Sequence, residues 1–599
     1  MLTRIQVFGL DTGPLGRTVN HARRVMAAVL GFASFSLSPA RSAHFTTGME
    51  AADKYGVHEI VLSGDGTAGN PFDTIATVMF SPPSGKANGT TVHAFYDGDN
   101  TWRARIYVSE TGPWTWTSHS DTDEGLNGKT GTFQARDSKL RGRLLAHPKN
   151  PRQWMTEDGR WFLNLNDTAY FLLSAHTASG EPVKEDDMKA YVRDAVAHGI
   201  TSVRCFSMSG PGGFADDGPQ RWRDSVFADD AFTRLQLPHF RVADERLRWL
   251  LNEYPHLYVQ FILFPRGSLY GIDEQIWKNF TPEQKKRVMR HMLARYAAYP
   301  QLFWLVANDA HYSPKHPNNN AFVREVGEYF RRHDPWRHPL STGHARRIEY
   351  FFGGEDWSSY IHLEDNFDLG AAQYAKYHQW AKPVFLGEDR YEQDHPDGRD
   401  PKNMRYFQRR MFWSWLLSGG SANYGGRWWV VHPYTQTGTR ATAKPRAVVG
   451  GGEEAKLAPV EMYTQQLVGL DSVMVIKDYF NTRMMELSDF EPDHALVNDP
   501  GVIEPARAPK LMRRGYDEFL IYHPNAAADD RTARTDESRT PDLALDLSAA
   551  RGTFTVEWFR ASDGFTQSGG LLEGGNLKHL HSPWRGEDCI VRLLRRSGP

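Results

Sequence analysis

Eight short apolar runs follow one another between Trp161 and Tyr424, most of them separated by a stretch with helical periodicity. They run from Trp161 to Leu165, Ser202 to Phe206, Leu257 to Phe264, Phe303 to Ala307, Pro339 to Thr342, Tyr360 to Leu363, Pro383 to Gly387 and Ala422 to Tyr424. Strand, helix, strand in regular succession implies parallel pairing, because only a crossover of a dozen or more residues brings the next strand back in the same direction. Met188 to His198 carries Met188, Tyr191, Val192, Ala195 and Val196 at helical spacing, and Arg287 to Tyr299 repeats the device, so each presents an apolar stripe to a sheet. Eight strands in about 300 residues fit a closed (β/α)8 barrel better than an open doubly wound sheet.

The flanking sequence has a different rhythm. From His58 to Phe133 short β-rich runs alternate with turn residues: Glu59-Ile60-Val61-Leu62, Thr77-Val78-Met79-Phe80, Val92 to Tyr96, then the turn Asp97-Gly98-Asp99-Asn100 into Trp102 to Val108. This predicts an antiparallel β-sandwich over residues 50–140, ahead of a barrel over residues 147–468. After the linker-like Gly450-Gly451-Gly452-Glu453-Glu454 a last helix is expected near Val460 to Leu467. Strand-like runs return at Leu511 to Arg514, Glu518 to Tyr522, Thr553 to Phe559 and Cys589 to Leu594, predicting a second sandwich over residues 473–599, with Ala526 to Asp542 as an exposed loop. The expected fold class is multi-domain: a central (β/α)8 TIM barrel flanked by N-terminal and C-terminal antiparallel β-sandwiches.

Several function classes fall away. With 70 Lys+Arg against 72 Asp+Glu the chain has no basic excess for nucleic acid. The two cysteines, Cys205 and Cys589, exclude a disulfide framework and allow one long-range bridge at most. Arg23-Arg24 followed by the apolar run Val25 to Leu37 and Ser38-Pro39-Ala40 reads as a leader over residues 1–43, so export to periplasm or exterior is expected. No later segment is long and apolar enough to span a bilayer. Aromatic residues make 13% of the chain, which suits sugar faces as well as cores. The sequence specifies no oligomeric state.

In a (β/α)8 enzyme the reacting groups lie at the C-terminal ends of the strands. Asp309 ends the fourth run, after Asn308, and Glu388 ends the seventh. Strands four and seven face each other across a barrel mouth, where glycosidic cleavage needs one carboxylic acid to protonate the leaving oxygen and one carboxylate to attack the anomeric carbon. Either residue alone reads more readily as a strand-end carboxylate paired to an arginine; the two together read as catalytic. This chemistry needs neither metal nor cofactor, and Asn164-Leu165-Asn166 offers none of the clustered His ligands of a metal-dependent barrel hydrolase.

Other residues fall beside them. Asn308, Asp167, Tyr170, Arg204, His311, Glu364, Trp428 and Trp429 are candidate substrate-binding residues, with Tyr391 and Glu392 supporting them from behind. Asp167 could equally cap a helix. Arg204, Arg266, Arg346, Arg390 and Arg427 all fall near strand ends, where they would either bind an anionic glycan or neutralise the carboxylates there. The rival to a carbohydrate-cleaving enzyme is a non-catalytic protein that binds glycan in an aromatic cleft, but binding alone does not need two opposed acids.

The phrases Asn166-Asp167-Thr168-Ala169-Tyr170, Tyr191-Val192-Arg193 with His198-Gly199-Ile200, Gly387-Glu388-Asp389-Arg390-Tyr391-Glu392, and Trp413 to Gly420 leading to Asn423-Tyr424-Gly425 resemble those of apiosidase-like (β/α)8 glycoside hydrolases. The resemblance implies an Asp acid/base on strand four and a Glu nucleophile on strand seven, which carries onto Asp309 and Glu388. It also implies a retaining mechanism on a plant or microbial polysaccharide or oligosaccharide, with exo action on an apiose- or arabinose-like pentofuranoside as one form. Asn308 before Asp309 is similar instead to the Asn-Glu pair of the wider retaining clan, and Asn166 and Tyr170 replace that family's Gly and Trp. Phe95-Tyr96-Asp97-Gly98-Asp99 with Trp102, Arg105 and Gly112 to Trp116 resembles the sandwich that precedes many bacterial polysaccharide-degrading barrels. Glu557-Trp558-Phe559 with Asp563-Gly564 is similar to the sandwich placed after such barrels and often labelled collagen-binding.

Overall fold

Seven of the eight apolar runs, with the segment that follows the first, pair into one parallel sheet in a computed structural model of the chain. It describes residues 43–48, 51–67, 69–176, 182–206, 226–264, 277–308, 311–315, 317–344, 349–364, 376–388, 401–425, 469–502, 504, 507–527 and 534–596. Ala43–Pro599 form one compact unit; residues 1–42 of the expected leader lie outside the described residues. So do Gly450 to Glu454 and the helix expected near Val460 to Leu467.

The barrel strands are β1 (Leu165–Thr168), β2 (Ser202–Phe206), β3 (Tyr258–Phe264), β4 (Leu302–Ala307), β5 (Leu340–Ser341), β6 (Ile361–Glu364), β7 (Val384–Glu388) and β8 (Ser421–Tyr424). Their hydrogen-bonded order is β5-β4-β3-β2-β1-β8-β7-β6, a ring open only between β5 and β6. Ser359 bridges that seam, its N–H donating to the Leu340 carbonyl and its Oγ accepting from the Leu340 N–H, both at 2.7 Å. Described helices α1 (Glu185–Ala197), α2 (Leu237–Glu253), α3 (Pro282–Tyr296), α4 (Pro317–His333), α5 (Pro401–Leu417) and α6 (Leu470–Arg483) belong to the same unit. In α1 the stripe Met188, Tyr191, Val192 and Ala195 is buried as its spacing requires.

The first strand sits further along than its apolar run. Trp161 makes an isolated antiparallel bridge to Met155, and β1 itself begins at Leu165. Its inward residues are polar and satisfied by the neighbouring strands: Asn166 Nδ2 donates to Ser202 Oγ at 2.6 Å, Asn423 Nδ2 donates to Asn166 Oδ1, and Thr168 Oγ1 donates to Asn423 Oδ1 at 3.0 Å. A strand whose barrel face is Asn and Thr carries no apolar signature, so the greasy run just before it drew the boundary too early. Consequently Asp167 lies within β1, and among the described residues the next helix, α1, starts 18 residues later in the chain with Lys184 as its N-cap.

N-terminal to the barrel, a four-stranded and a five-stranded sheet hold the predicted runs, including Val57–Ser63, Ala76–Ser81 and Thr101–Tyr107. The turn between Asp97 and Thr101 closes with the Thr101 N–H donating to the Gly98 carbonyl at 2.8 Å, and Gly98 takes φ 91°. A side chain at Gly98 would also collide with the guanidinium of Arg241 on α2. C-terminal to the barrel, six- and three-stranded sheets pack face to face through Leu511, Phe519 and Val591 on one side and Val497, Leu543 and Leu545 on the other. Arg409 of α5 pins them to the barrel through Asp588, Nη2 to Oδ1 at 2.8 Å. Cys205 and Cys589 are buried and unbridged.

A buried ionic network joins the N-terminal sheets to the barrel. Arg105, 1% exposed, donates from Nε to Glu59 Oε2 at 2.8 Å and from Nη1 to Asp244 Oδ1 of α2 at 2.6 Å. Arg295 of α3 holds the other Asp244 oxygen and reaches Asp97 Oδ1 at 2.9 Å. Burial raises the cost of ionising Asp97, yet Arg295, Arg103 and Arg241 outweigh it and bring its pKa down to about 2. Removing one member of a buried pair strands its partners' charge. We therefore expect Arg105→Ala to destabilise the chain by about 3 kcal/mol or more in urea or guanidinium titration. A loss below about 1 kcal/mol, the range of an exposed pair, would show that the network carries no such load.

Candidate active site

Glu388, the last residue of β7, is 3% exposed and accepts hydrogen bonds from two described residues elsewhere in the barrel. Arg204 Nη1, from β2, donates to Glu388 Oε2 at 2.7 Å, and the Tyr170 hydroxyl, just after β1, donates to the same oxygen at 2.8 Å. The Arg204 guanidinium also lies over the Tyr170 ring, 5.2 Å from its centre. A carboxylate that accepts from a guanidinium and a phenol is stabilised in its ionised form and fixed in rotation. That is the state an attacking nucleophile needs.

Arg204 is the hub. Its Nη2 donates to Asn308 Oδ1, beyond the end of β4, and to Glu364 Oε1, at the end of β6, at 3.2 Å. Glu364 and Glu388 stand in register on the adjacent strands β6 and β7, with a bulge between Leu363 and Glu364. Like charges directly opposite in a sheet repel, and here the buried Arg204 lies against both. Arg204 thus serves to neutralise strand-end carboxylates, one of the two roles its position allowed.

The rest of the floor is polar. Asp167 Oδ2 accepts from the Tyr191 hydroxyl of α1 at 2.7 Å, and burial, with that carboxylate beside it, pushes the Tyr191 phenol well up. Among the residues named from sequence, the structure brings together Glu388, Arg204, Tyr170, Asn308 and Glu364, and places Asp167 on the strand between β2 and β8. His311 is half-buried, and its carbonyl accepts from Asn319 Nδ2 of α4 at 2.8 Å. Asp309, Tyr391, Glu392, Trp428 and Trp429 lie outside the described residues, as do Arg266, Arg346, Arg390 and Arg427. Asp309 is the next residue in the chain after Asn308.

Sequence reasoning missed Gln260 and His362. Both sit on barrel strands with no exposed surface, and Gln260 Nε2 donates to His362 Nδ1 at 3.1 Å. Burial first, then the charge of Arg204, keeps His362 protonation well below the usual range. The available signal was a polar residue every second position inside an apolar strand: Ser202 and Arg204, Gln260, His362 and Glu364. Such residues line the interior of a barrel.

Residues 148–444 match the model of the apiosidase-like catalytic domain, and residues 51–121 match that of a domain of unknown function (DUF5060). No curated protein matches the chain. Among solved structures, the fold is similar to a candidate glycoside hydrolase from Bacteroides vulgatus, at 16% identity over 91% of this chain and 100% of that one, with a TM-score of 0.63. It is also similar to a glycoside hydrolase family 5 protein from the same organism, at 14% identity over 76% of this chain and 94% of that one, TM-score 0.53. At these identities the likeness is one of fold.

Proposed function

We propose that this chain, a glycosidase whose residues 148–444 match the apiosidase-like catalytic domain, cleaves by a retaining double displacement, with Glu388 as nucleophile and Asp309 as acid/base. The observation that carries this reading is the clasp on Glu388: Arg204 at 2.7 Å and Tyr170 at 2.8 Å on one oxygen. In the first step a Glu388 oxygen bonds to the anomeric carbon while the bond to the leaving oxygen breaks, and Asp309 gives that oxygen its proton. In the second, water attacks the same carbon, its proton passes to Asp309, and the Glu388 carboxylate is released.

A plant or microbial polysaccharide or oligosaccharide is the proposed substrate, with exo cleavage of an apiose- or arabinose-like pentofuranoside as its form. Trp428 and Trp429 would stack on sugar faces, while His311, Asn308 and Asp167 would serve its hydroxyls. The test is a glycan panel followed by proton NMR of the first-formed product. Retention of anomeric configuration is expected; inversion before mutarotation would replace the covalent route with direct attack by water.

A further inference from the structure

Glu364 is held by a chain of hydrogen bonds whose direction can be read from one end to the other. The Tyr360 hydroxyl donates to the Trp304 carbonyl at 2.9 Å, so its oxygen accepts from Gln260 Nε2 at 2.8 Å, which fixes the orientation of the amide. The same amide nitrogen donates to His362 Nδ1 at 3.1 Å. The ring proton is therefore on Nε2, which donates to Glu364 Oε1 at 3.2 Å. Arg204 donates to that oxygen as well. A guanidinium and an imidazole N–H on one oxygen favour the ionised form of Glu364.

Two glycines shape the seat. A side chain at Gly343, after β5, would collide with Glu364 Oε1, and one at Gly387 would collide with the His362 ring. Gly387 directly precedes Glu388, so the backbone of β7 both presents the nucleophile and leaves room for the ring that holds its neighbour.

We propose that Glu364 is a positioning residue, the permanent counter-ion of Arg204 through the catalytic cycle. The inference rests on the reading of Glu388 as nucleophile. When Glu388 bonds to the sugar its carboxylate becomes an ester and loses its charge. Among the described residues Glu364 is then the carboxylate still in contact with Arg204, and a buried cation is costly without such a contact. Glu364 keeps Arg204 neutralised in both states, so the guanidinium need not move as the covalent intermediate forms and breaks. Among the described residues, Arg204 and Tyr170 are the titratable groups in contact with Glu388; Glu364 and His362 lie behind Arg204, His344 acts on His362, and Asp167 with Tyr191 lies on the β1 side.

The test uses the full chain with 2,4-dinitrophenyl glycosides of a panel of pentoses and hexoses, taking the one turned over fastest. This leaving group departs readily, so wild type should release a burst of about one dinitrophenol per site as the glycosyl-enzyme accumulates. In Glu364→Gln the ester state is disfavoured relative to the carboxylate: the burst should shrink, kcat/KM should fall about tenfold or more, and the acidic limb of its pH profile should move about one unit lower as a like charge is removed. Glu364→Asp keeps the charge and should keep the acidic limb in place even where its rate drops. An unchanged burst and limb in Glu364→Gln, or a limb that moves in Glu364→Asp, would overturn the counter-ion role. No burst and no covalent adduct in wild type would instead remove the nucleophile reading beneath it.

Discussion

Glu388→Gln should lower kcat by about 10⁴-fold or more, equivalent to roughly 5.5 kcal/mol of transition-state stabilisation, while leaving the fold intact. The amide has nearly the shape of the carboxylate and its oxygen can still accept from Arg204 and Tyr170, which donate to Glu388 Oε2 at 2.7 and 2.8 Å. In the proposed mechanism it lacks the negative charge with which Glu388 would attack the anomeric carbon. Circular dichroism and a denaturation midpoint near wild type would show that the loss is chemical. Near-wild-type turnover, with the mass of the variant confirmed, would remove Glu388 from the mechanism.

Asp309→Ala should cost about 10²- to 10⁴-fold on substrates with poor leaving groups and far less on nitrophenyl glycosides, whose leaving groups depart without protonation. The basic limb of the pH profile reports the acid, so it should flatten in this variant while the acidic limb persists. Equal losses on good and poor leaving groups would rule out Asp309 as the donor. Glu364, a second carboxylate among the described residues of the site, accepts from Arg204 and His362 on one oxygen.

The order of the barrel was legible because β3, β4 and β7 are apolar almost throughout, and a buried parallel strand must be. β1 was misplaced for the converse reason: its interior face, Asn166 and Thr168, is satisfied by Ser202 and Asn423, partners distant in sequence. The helix α6 went unread because Met474 and Val475 interrupt the polar face opposite Val473, Ile476 and Phe480, which blurs the stripe. At the site, Glu388, Asn308 and Glu364 were visible from their places at the ends of apolar runs, and Arg204 as a charge inside one. Neutralisation of these carboxylates by an arginine was one expectation, but that a single arginine, Arg204, contacts both was not, since it depends on the register of β6 against β7 and on a bulge. The phrase Phe95 to Asp99 with Arg105 also gained a physical meaning: Asp97 and Arg105 join the ionic network that binds the first sandwich to α2 and α3.

Azide added to the two alanine variants separates the roles of the two carboxyl groups in one experiment. In Glu388→Ala azide can enter the cavity left by the nucleophile and attack the anomeric carbon directly, so the product should be a glycosyl azide of inverted configuration. In Asp309→Ala the covalent intermediate still forms on Glu388, and azide intercepts it from the opposite face, so the azide should carry the original configuration. Proton NMR of the two products reads both results. A retained azide from Glu388→Ala, or an inverted one from Asp309→Ala, would contradict the assignment of Glu388 as the nucleophile.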